Sequence, residues 1–514
     1  MQFFGLDCEF EPLETPLPIF RARVDAGQWL ELARSIVEAK GQLVSLWGSD
    51  RRRAGASFEV AAAYRTADGL LCAELALDPQ RPVYPDIARF FAPANRMQRA
   101  ARDLLGIEAD GSADCRPWLR HDAWPADYFP LRHENTGQER FDLPAENYPF
   151  VRVEGDGVHE IPVGPVHAGI IEPGHFRFSV VGEKVLRLEE RLGYTHKGIE
   201  RRFIGMDVET GARLAGRVSG DSTVAYAWAY AMAVESLAHQ HVPPRARWLR
   251  ALLLERERVA NHLGDLGALG NDAAFGFALT QFSLLREDWL RMNAEFFGHR
   301  LLMDRICPGG VERDLGDAAR QALRDQAIVM RASVRELQRI FDEHAGMQDR
   351  LVTTGCISPA LAQQLGLTGL AARASGRTGD LRSDFVWVPY DSLGFKVCSQ
   401  HNGDVAARLN LRFAEVFESL RLIEASLQDL PEGQIHAPID PPPNAKGAGW
   451  VEGWRGEILV ALETDDAGAI ARCHCHDPSW QNWPVLEHAV IGNIVADFPL
   501  INKSFNLSYS GQDL

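Results

Sequence analysis

The stretch Arg217-Val218-Ser219-Gly220-Asp221-Ser222, followed directly by the apolar run 224–234, decides how the chain folds around it. Ser and Asp ahead of an apolar run are ordinary N-cap residues, so the hexapeptide predicts the start of a helix over 222–238. The same two serines stand three positions apart, the spacing at which a C-x-x-C pair converges on one transition metal through soft thiolates. A serine hydroxyl is neutral and hard and binds such a metal poorly. Taken alone, the segment favours the helix cap over a ligand site that has lost its ligands.

Downstream of it the texture is helical. Segments 244–269, 275–300, 315–343 and 405–427 carry apolar residues at helical spacing with charges on the remaining face, and helices of this length pack as a bundle. Upstream the texture changes. Alternating runs at 42–47, 58–64 and 70–75 read as strands of an antiparallel sheet, a helix is expected over 86–105, and 118–148 is rich in Pro, Trp, Asp and Asn, as an extended connector is. Two short strands are expected after Val151, Pro441-Pro442-Pro443-Asn444 breaks the helical pattern, and 456–474 reads as a hairpin. The expected fold is α+β. A small α+β domain occupies 1–140 and a connector 141–160, followed over 161–514 by a mainly α-helical bundle with short β-hairpins.

The 514 residues suffice for roughly two to four domains. A formal charge of -16 disfavours nonspecific contact with nucleic acid or an anionic membrane surface. No apolar run reaches the roughly 18 residues that a membrane span needs. The start, Met1 to Asp7, lacks the features of a secretory signal, so a cytosolic protein that docks on membrane subunits is expected. Cys8, Cys72, Cys115, Cys307, Cys356, Cys398, Cys473 and Cys475 form no C-x-x-C pair, and reduced thiols are the expectation. Within Cys473-His474-Cys475-His476 the residue types suit zinc or copper, but on a strand the thiols face one side and the imidazoles the other, short of four convergent ligands.

Several motifs, in order, carry a family resemblance: Gly164-Pro165-Val166-His167, Glu172-Pro173-Gly174-His175-Phe176-Arg177, Tyr194-Thr195-His196-Lys197-Gly198-Ile199-Glu200, Arg373-Ala374-Ser375-Gly376, Gly403-Asp404-Val405-Ala406-Ala407-Arg408, Glu452-Gly453-Trp454-Arg455-Gly456-Glu457 and Ala496-Asp497-Phe498-Pro499-Leu500-Ile501. Through them the chain resembles the large subunit of membrane-bound [NiFe]-hydrogenases of the formate hydrogenlyase and hydrogenase-4 type, and the related 49-kDa subunit of respiratory complex I. The region holding Ala101-Arg102-Asp103-Leu104-Leu105-Gly106-Ile107 and 124–132 resembles the 30-kDa subunit of complex I, fused ahead of the other as in formate hydrogenlyase.

Against that family's R-x-C-G-I-C segment, serines stand where the nickel-binding cysteines would be, at Ser219 and Ser222. The second motif, D-P-C-x-x-C, falls on Ser508 and Gly511. Four lost thiolates imply that no metal is held by this chain. Complex I reduces a quinone in the same cavity, so the resemblance implies a quinone-like cavity formed by His167, His175, Ser219, Ser222, Tyr226 and Ser508, with His175, Asp221 and Arg455 as the reacting or proton-handling groups. His175 matches the quinone histidine better than His167, while the family's tyrosine falls on Gly220. Tyr226 could supply a hydroxyl, although a core tyrosine is the plainer reading. His196, Lys197 and Glu200 are expected to face a partner subunit carrying a [4Fe-4S] cluster, or else to form a surface salt-bridge loop, and His262 is expected to be structural. The implied partners are that iron-sulfur subunit, an integral membrane subunit and antiporter-like subunits on the cytoplasmic face of the inner membrane. Two functions stay open: a redox-associated subunit coupled to quinone or protons, and a non-catalytic structural and coupling subunit. An active nickel hydrogenase is the remote third.

Overall fold

A computed structural model of the chain describes residues 9–143, 147–167 and 171–514. Cys8 and the start 1–7 lie outside it, as does part of the expected connector at 144–146. The structure is mixed α and β, with the sheet-rich part first and the helices after it.

In the amino-terminal part, five strands lie side by side in the order Phe10–Pro12, Ile19–Arg23, Gly69–Ala76, Phe58–Thr66 and Gln42–Asp50. Neighbours are antiparallel except Ile19–Arg23 and Gly69–Ala76, which run parallel. The connection between that parallel pair carries the helix Ala26–Glu38, opened by a capping box in which Asp25 and Gln28 bond each other's backbone. A helix expected over 86–105 is shorter, Ala94–Leu105. Asp86 turns its carboxylate onto the amide of Ala88 (2.8 Å), and Pro93 disfavours a helical conformation in the residue before it, so the helix begins only at Ala94.

After the connector come three antiparallel strands rather than two, Val158–Val163, His175–Val181 and Lys184–Arg191. The helix Thr223–Leu237 then runs through the centre of the molecule. Every one of its residues is buried, which its all-round apolar sequence requires. On one side it meets the strand Lys446–Glu452, where Gly447 and Gly449 leave no room for a side chain: a Cβ would stand 2.2 Å from the Ala233 carbonyl oxygen and 1.9 Å from that of Ala229. The long helix Pro244–Asp272 also touches it, and on that helix pack Gly276–Phe297 and Val405–Gln428, with Asp317–Glu343 against those two. The expected hairpin is Glu457–Thr464 with Ile470–His476, and Lys446–Glu452 makes it a three-stranded sheet. Among the described residues, no helix is long and apolar enough to cross a membrane.

The strand Ile470–His476 also locks the two parts of the chain together. Its two sulfurs lie 4.0 Å apart on one buried side. On the other, His474 bonds Ser45 (2.7 Å) and stacks on Trp47 with ring centroids 4.8 Å apart, while His476 bonds Gln481 (3.0 Å). Each imidazole thus has its own protein partner, and the four side chains do not converge on one point.

Candidate functional site

The turn Gly220–Ser222 feeds directly into the central helix, yet neither serine caps it. The first-turn amides of Val224 and Ala225, buried and without a partner in their own helix, are taken instead by Glu257, from the neighbouring helix, at 2.7 and 3.2 Å. Burial pushes the Glu257 carboxyl up to about 8. With capping done from elsewhere, the side chains of the hexapeptide are free to meet the end of the chain.

They do so in one cluster. Ser219 Oγ lies 2.8 Å from Ser508 Oγ and 2.9 Å from Asp221 Oδ1. Arg455 grips Asp221 through both terminal nitrogens, at 2.8 and 2.6 Å, and reaches Ser222 Oγ at 3.2 Å. Its guanidinium lies 3.9 Å over the Trp454 ring, and its Nε donates to the Asn506 carbonyl (2.6 Å). Ser508 caps the last helix, Tyr509–Asp513, by accepting from the Gly511 amide (2.8 Å). At Gly511 itself, a Cβ would stand 2.4 Å from Asp477 Oδ2, the oxygen that accepts from Tyr226 (2.8 Å). Ser219, Ser222, Ser508 and Gly511 therefore come from the two ends of the helical part to one place, where three hydroxyls meet the Arg455 guanidinium and two carboxylates, Asp221 beside the serines and Asp477 against Gly511.

Lys197 staples the two segments, donating to the carbonyls of Val218 (2.9 Å) and Ser510 (3.4 Å). The serines are buried, but the Asp221 side chain is 39% exposed, so the cluster opens outward at that carboxylate. Burial would raise the Asp221 carboxyl, but Arg455 and Ser219 outweigh it and hold it below the usual range, ionised at neutral pH. Arg455 itself is buried. Glu457 pairs with Arg65.

Other expected site residues lie elsewhere. Tyr226 is a core residue with its hydroxyl committed to Asp477. His175 is not part of the serine cluster. Its Nδ1 meets the Gly164 carbonyl (3.3 Å), and the residue lines a cavity of about 710 Å³ with Tyr148, Phe150, Arg177 and Tyr194. Its Nε2 is buried and has no hydrogen-bond partner among the described residues. His167 sits between these regions, its ring centroid 5.6 Å from Phe176 and 6.3 Å from Tyr509.

Glu200 does not face outward, because it is buried against Arg472 (3.0 Å) and His474 (2.6 Å). The reason is charge pairing across the seam with the last sheet. His196 and Lys197 are half-buried, with His196 Nδ1 2.7 Å from the Asp513 carbonyl. Burial pushes the Glu200 carboxyl up, but Arg472 and His474 outweigh it and hold it at about 2. Its folded value is below the unfolded one. The stabilisation is complete above about pH 4.5 and is lost as pH falls toward about 2. Glu200→Gln is expected to flatten this acid limb in urea denaturation followed across pH, whereas an unaltered limb would assign it to other carboxylates. His262, expected to be structural, is buried and bonded to Glu415 at 2.9 Å between two helices.

Glu257, Asp477, Trp454 and Asn506 are participants that periodicity does not reveal. Among them Trp454 alone carries a signal in the glycine- and charge-rich motif of 452–457, directly beside Arg455.

Known proteins share this architecture. The family described as respiratory-chain NADH dehydrogenase, 30 Kd subunit, matches residues 22–140, and that of the 49 Kd subunit matches 269–446 and 438–513. Formate hydrogenlyase subunit 5 of Escherichia coli is 32% identical over 482 residues, covering 92% of this chain and 85% of that protein. The carbon monoxide-induced hydrogenase of Rhodospirillum rubrum is 31% identical over 350 residues, 68% of this chain and 97% of the relative. Among solved structures, a chain of the membrane-bound sulfane sulfur reductase, an archaeal respiratory membrane complex, superposes with a TM-score of 0.66 at 26% identity, covering 70% of this chain and 99% of that one.

Proposed function

The chain belongs to the family of fused complex I 30-kDa and 49-kDa subunits that includes the large subunits of membrane-bound hydrogenases, and from that premise we propose that its former metal pocket now handles protons. It is a subunit of a membrane-bound hydrogenase-like or complex I-like oxidoreductase. In our reading it lies peripherally on the cytoplasmic face of the inner membrane. Its neighbours there are an iron-sulfur subunit holding a [4Fe-4S] cluster, an integral membrane subunit and antiporter-like subunits.

The observation that carries the reading is the convergence of Ser219, Ser222, Asp221, Arg455 and Ser508. These residues do not fit a nickel-iron centre. Hydroxyls stand for thiolates, Gly511 offers no side-chain ligand, and the Arg455 guanidinium already places a positive charge beside Asp221. What they fit is a relay that passes a proton without storing it, at the outward-facing Asp221, which Arg455 keeps ionised. Behind it Glu257, pushed up to about 8, holds a proton at neutral pH. A quinone head group, which would accept two electrons and two protons, fits the separate cavity of His175, where aromatic walls surround an unpartnered ring nitrogen. The second reading, a structural and coupling subunit, is favoured by one fact: Ser219 and Ser508 satisfy each other's hydroxyls inside the cluster.

Asp221→Asn separates the two. With assembly intact, acceptor-linked electron transfer in membranes is expected to fall by about a hundredfold or more, the lower end of what a positioned proton-transfer group contributes. Unchanged turnover would assign the subunit to scaffolding. Stoichiometric nickel in the purified complex would defeat both readings.

A further inference from the structure

At the seam between the amino-terminal sheet and the helical part lies a second cavity, of about 400 Å³, distant in sequence from the serine cluster. Lys40, Gln42 and Arg65 reach it from the sheet side, and Arg377, Asp384 and Phe385 from the helical side. Their charges are unequally committed. Arg65 is tied to both Glu457 and Asp384, and it passes Gly379 so closely that a Cβ there would stand 2.8 Å from Arg65 Nη2. Glu457 is additionally held by Trp450 (3.1 Å).

That leaves two cations and a donor unmatched. The half-buried guanidinium of Arg377 has no hydrogen-bond or ion-pair partner among the described residues, and the exposed ammonium of Lys40 has none either. Gln42 Nε2 is buried without an acceptor. A buried amide donor left unpaired costs stability unless something fills its place. Lys40 also holds a left-handed backbone (φ 60°), a conformation suited to glycine, just past the end of the helix Ala26–Glu38.

We propose that this cavity is a binding site for a phosphomonoester anion. A planar carboxylate is satisfied by one guanidinium fork, whereas the guanidinium of Arg377 and the ammonium of Lys40, from the two sides of the seam, match the several oxygens of a tetrahedral dianion. The Phe385 ring and the surrounding volume provide for a small organic remainder. The site backs onto the turn that carries Arg455. A Cβ on Gly369, another wall residue, would stand 1.8 Å from the carbonyl oxygen of Arg455, so only backbone separates an occupant from the turn that presents Arg455 to Asp221.

The chemistry is shared by a soluble phosphomonoester and a phosphatidate headgroup, and titration of the full chain distinguishes them. In calorimetry, glycerol 3-phosphate is expected to bind saturably, and Arg377→Ala to weaken binding by about tenfold or more, the loss of a charge-assisted contact. Lys40→Ala, at an exposed position that leaves the fold unburdened, is expected to weaken it as well. Binding only to phosphatidylcholine vesicles doped with phosphatidate, with the same sensitivity to Arg377→Ala, would support the site and identify its occupant as lipid. No saturable binding in either arm, or equal affinity in wild type and both variants, would overturn the proposal.

Discussion

Arg373→Met is expected to destabilise the full chain by about 3–5 kcal/mol, the cost of breaking a buried ion network by removing one partner. Arg373 is 1% exposed and holds three carboxylates at once: Glu415 at 2.8 Å, Glu452 at 2.9 Å and Asp380 at 3.3 Å. Around it Arg382 joins Asp380 (2.7 Å) to Glu255 (3.1 Å), and Arg258 joins Glu255 (3.2 Å). Three arginines thus face four carboxylates, and burial together with Asp380 pushes Glu452 up to about 7, so the excess negative charge is partly covered by a proton. Without Arg373 the remaining two cations cannot balance the cluster, and water cannot reach it. Urea denaturation should show the midpoint shift. Glu452→Gln, which removes the carboxyl already half protonated, should cost well under half as much. Equal losses from the two variants would mean that volume, not charge, sets the energy there.

That network also shows why part of the molecule is legible from sequence and part is not. The long helices follow from apolar spacing, because burial on one face leaves a period in the sequence. Val405–Gln428 ends one residue from its expected limit, and Asp317–Glu343 starts two residues late. Buried arginines leave no such mark. Nothing in the spacing around Arg258, Arg373 and Arg382 marks them as buried, and only the fold places carboxylates around them. The same holds at the candidate site. Convergence of Ser219 with Ser508 follows from the family motifs, not from any local pattern, and the capping role expected of the serines falls to Glu257 on another helix. The order of the family motifs groups His175 with the serines. Its strand, His175–Val181, carries it instead into the cavity beside the connector. Glu200 illustrates the opposite error. A charged loop looks solvent-facing in sequence, but a partner pair 272 and 274 residues away, Arg472 and His474, buries it.

Placing cysteine at the four motif positions of the cluster tests the proposal that this is a former metal pocket rebuilt around the loss of its ligands. Gly511→Cys is expected to destabilise the chain by about 1–3 kcal/mol, as overpacking of a filled core does. Its Cβ would lie 2.4 Å from Asp477 Oδ2 and 2.9 Å from Ser508 Oγ, and Asp477 cannot swing aside without abandoning the Tyr226 hydroxyl and the amide of Ser479 (2.8 Å). A variant carrying cysteine at 219, 222, 508 and 511 together should therefore hold no stoichiometric nickel, even with its thiolates supplied. Two further features act against it. The Arg455 guanidinium would sit beside the incoming cation, and Asp221, the carboxylate that offsets it, is already taken by that pairing. Adding Asp477→Ala to the four cysteines removes the clash but strips the Tyr226 hydroxyl and the Ser479 amide of their acceptor, so it should not restore the lost stability, and nickel should stay unbound. Metal analysis of the purified variants and their denaturation midpoints give the two readouts. Nickel at one per chain in the four-cysteine variant would mean that Arg455 and Asp477 yield to the metal, and that the hydroxyl cluster is a reversible substitution instead of a site rebuilt for protons.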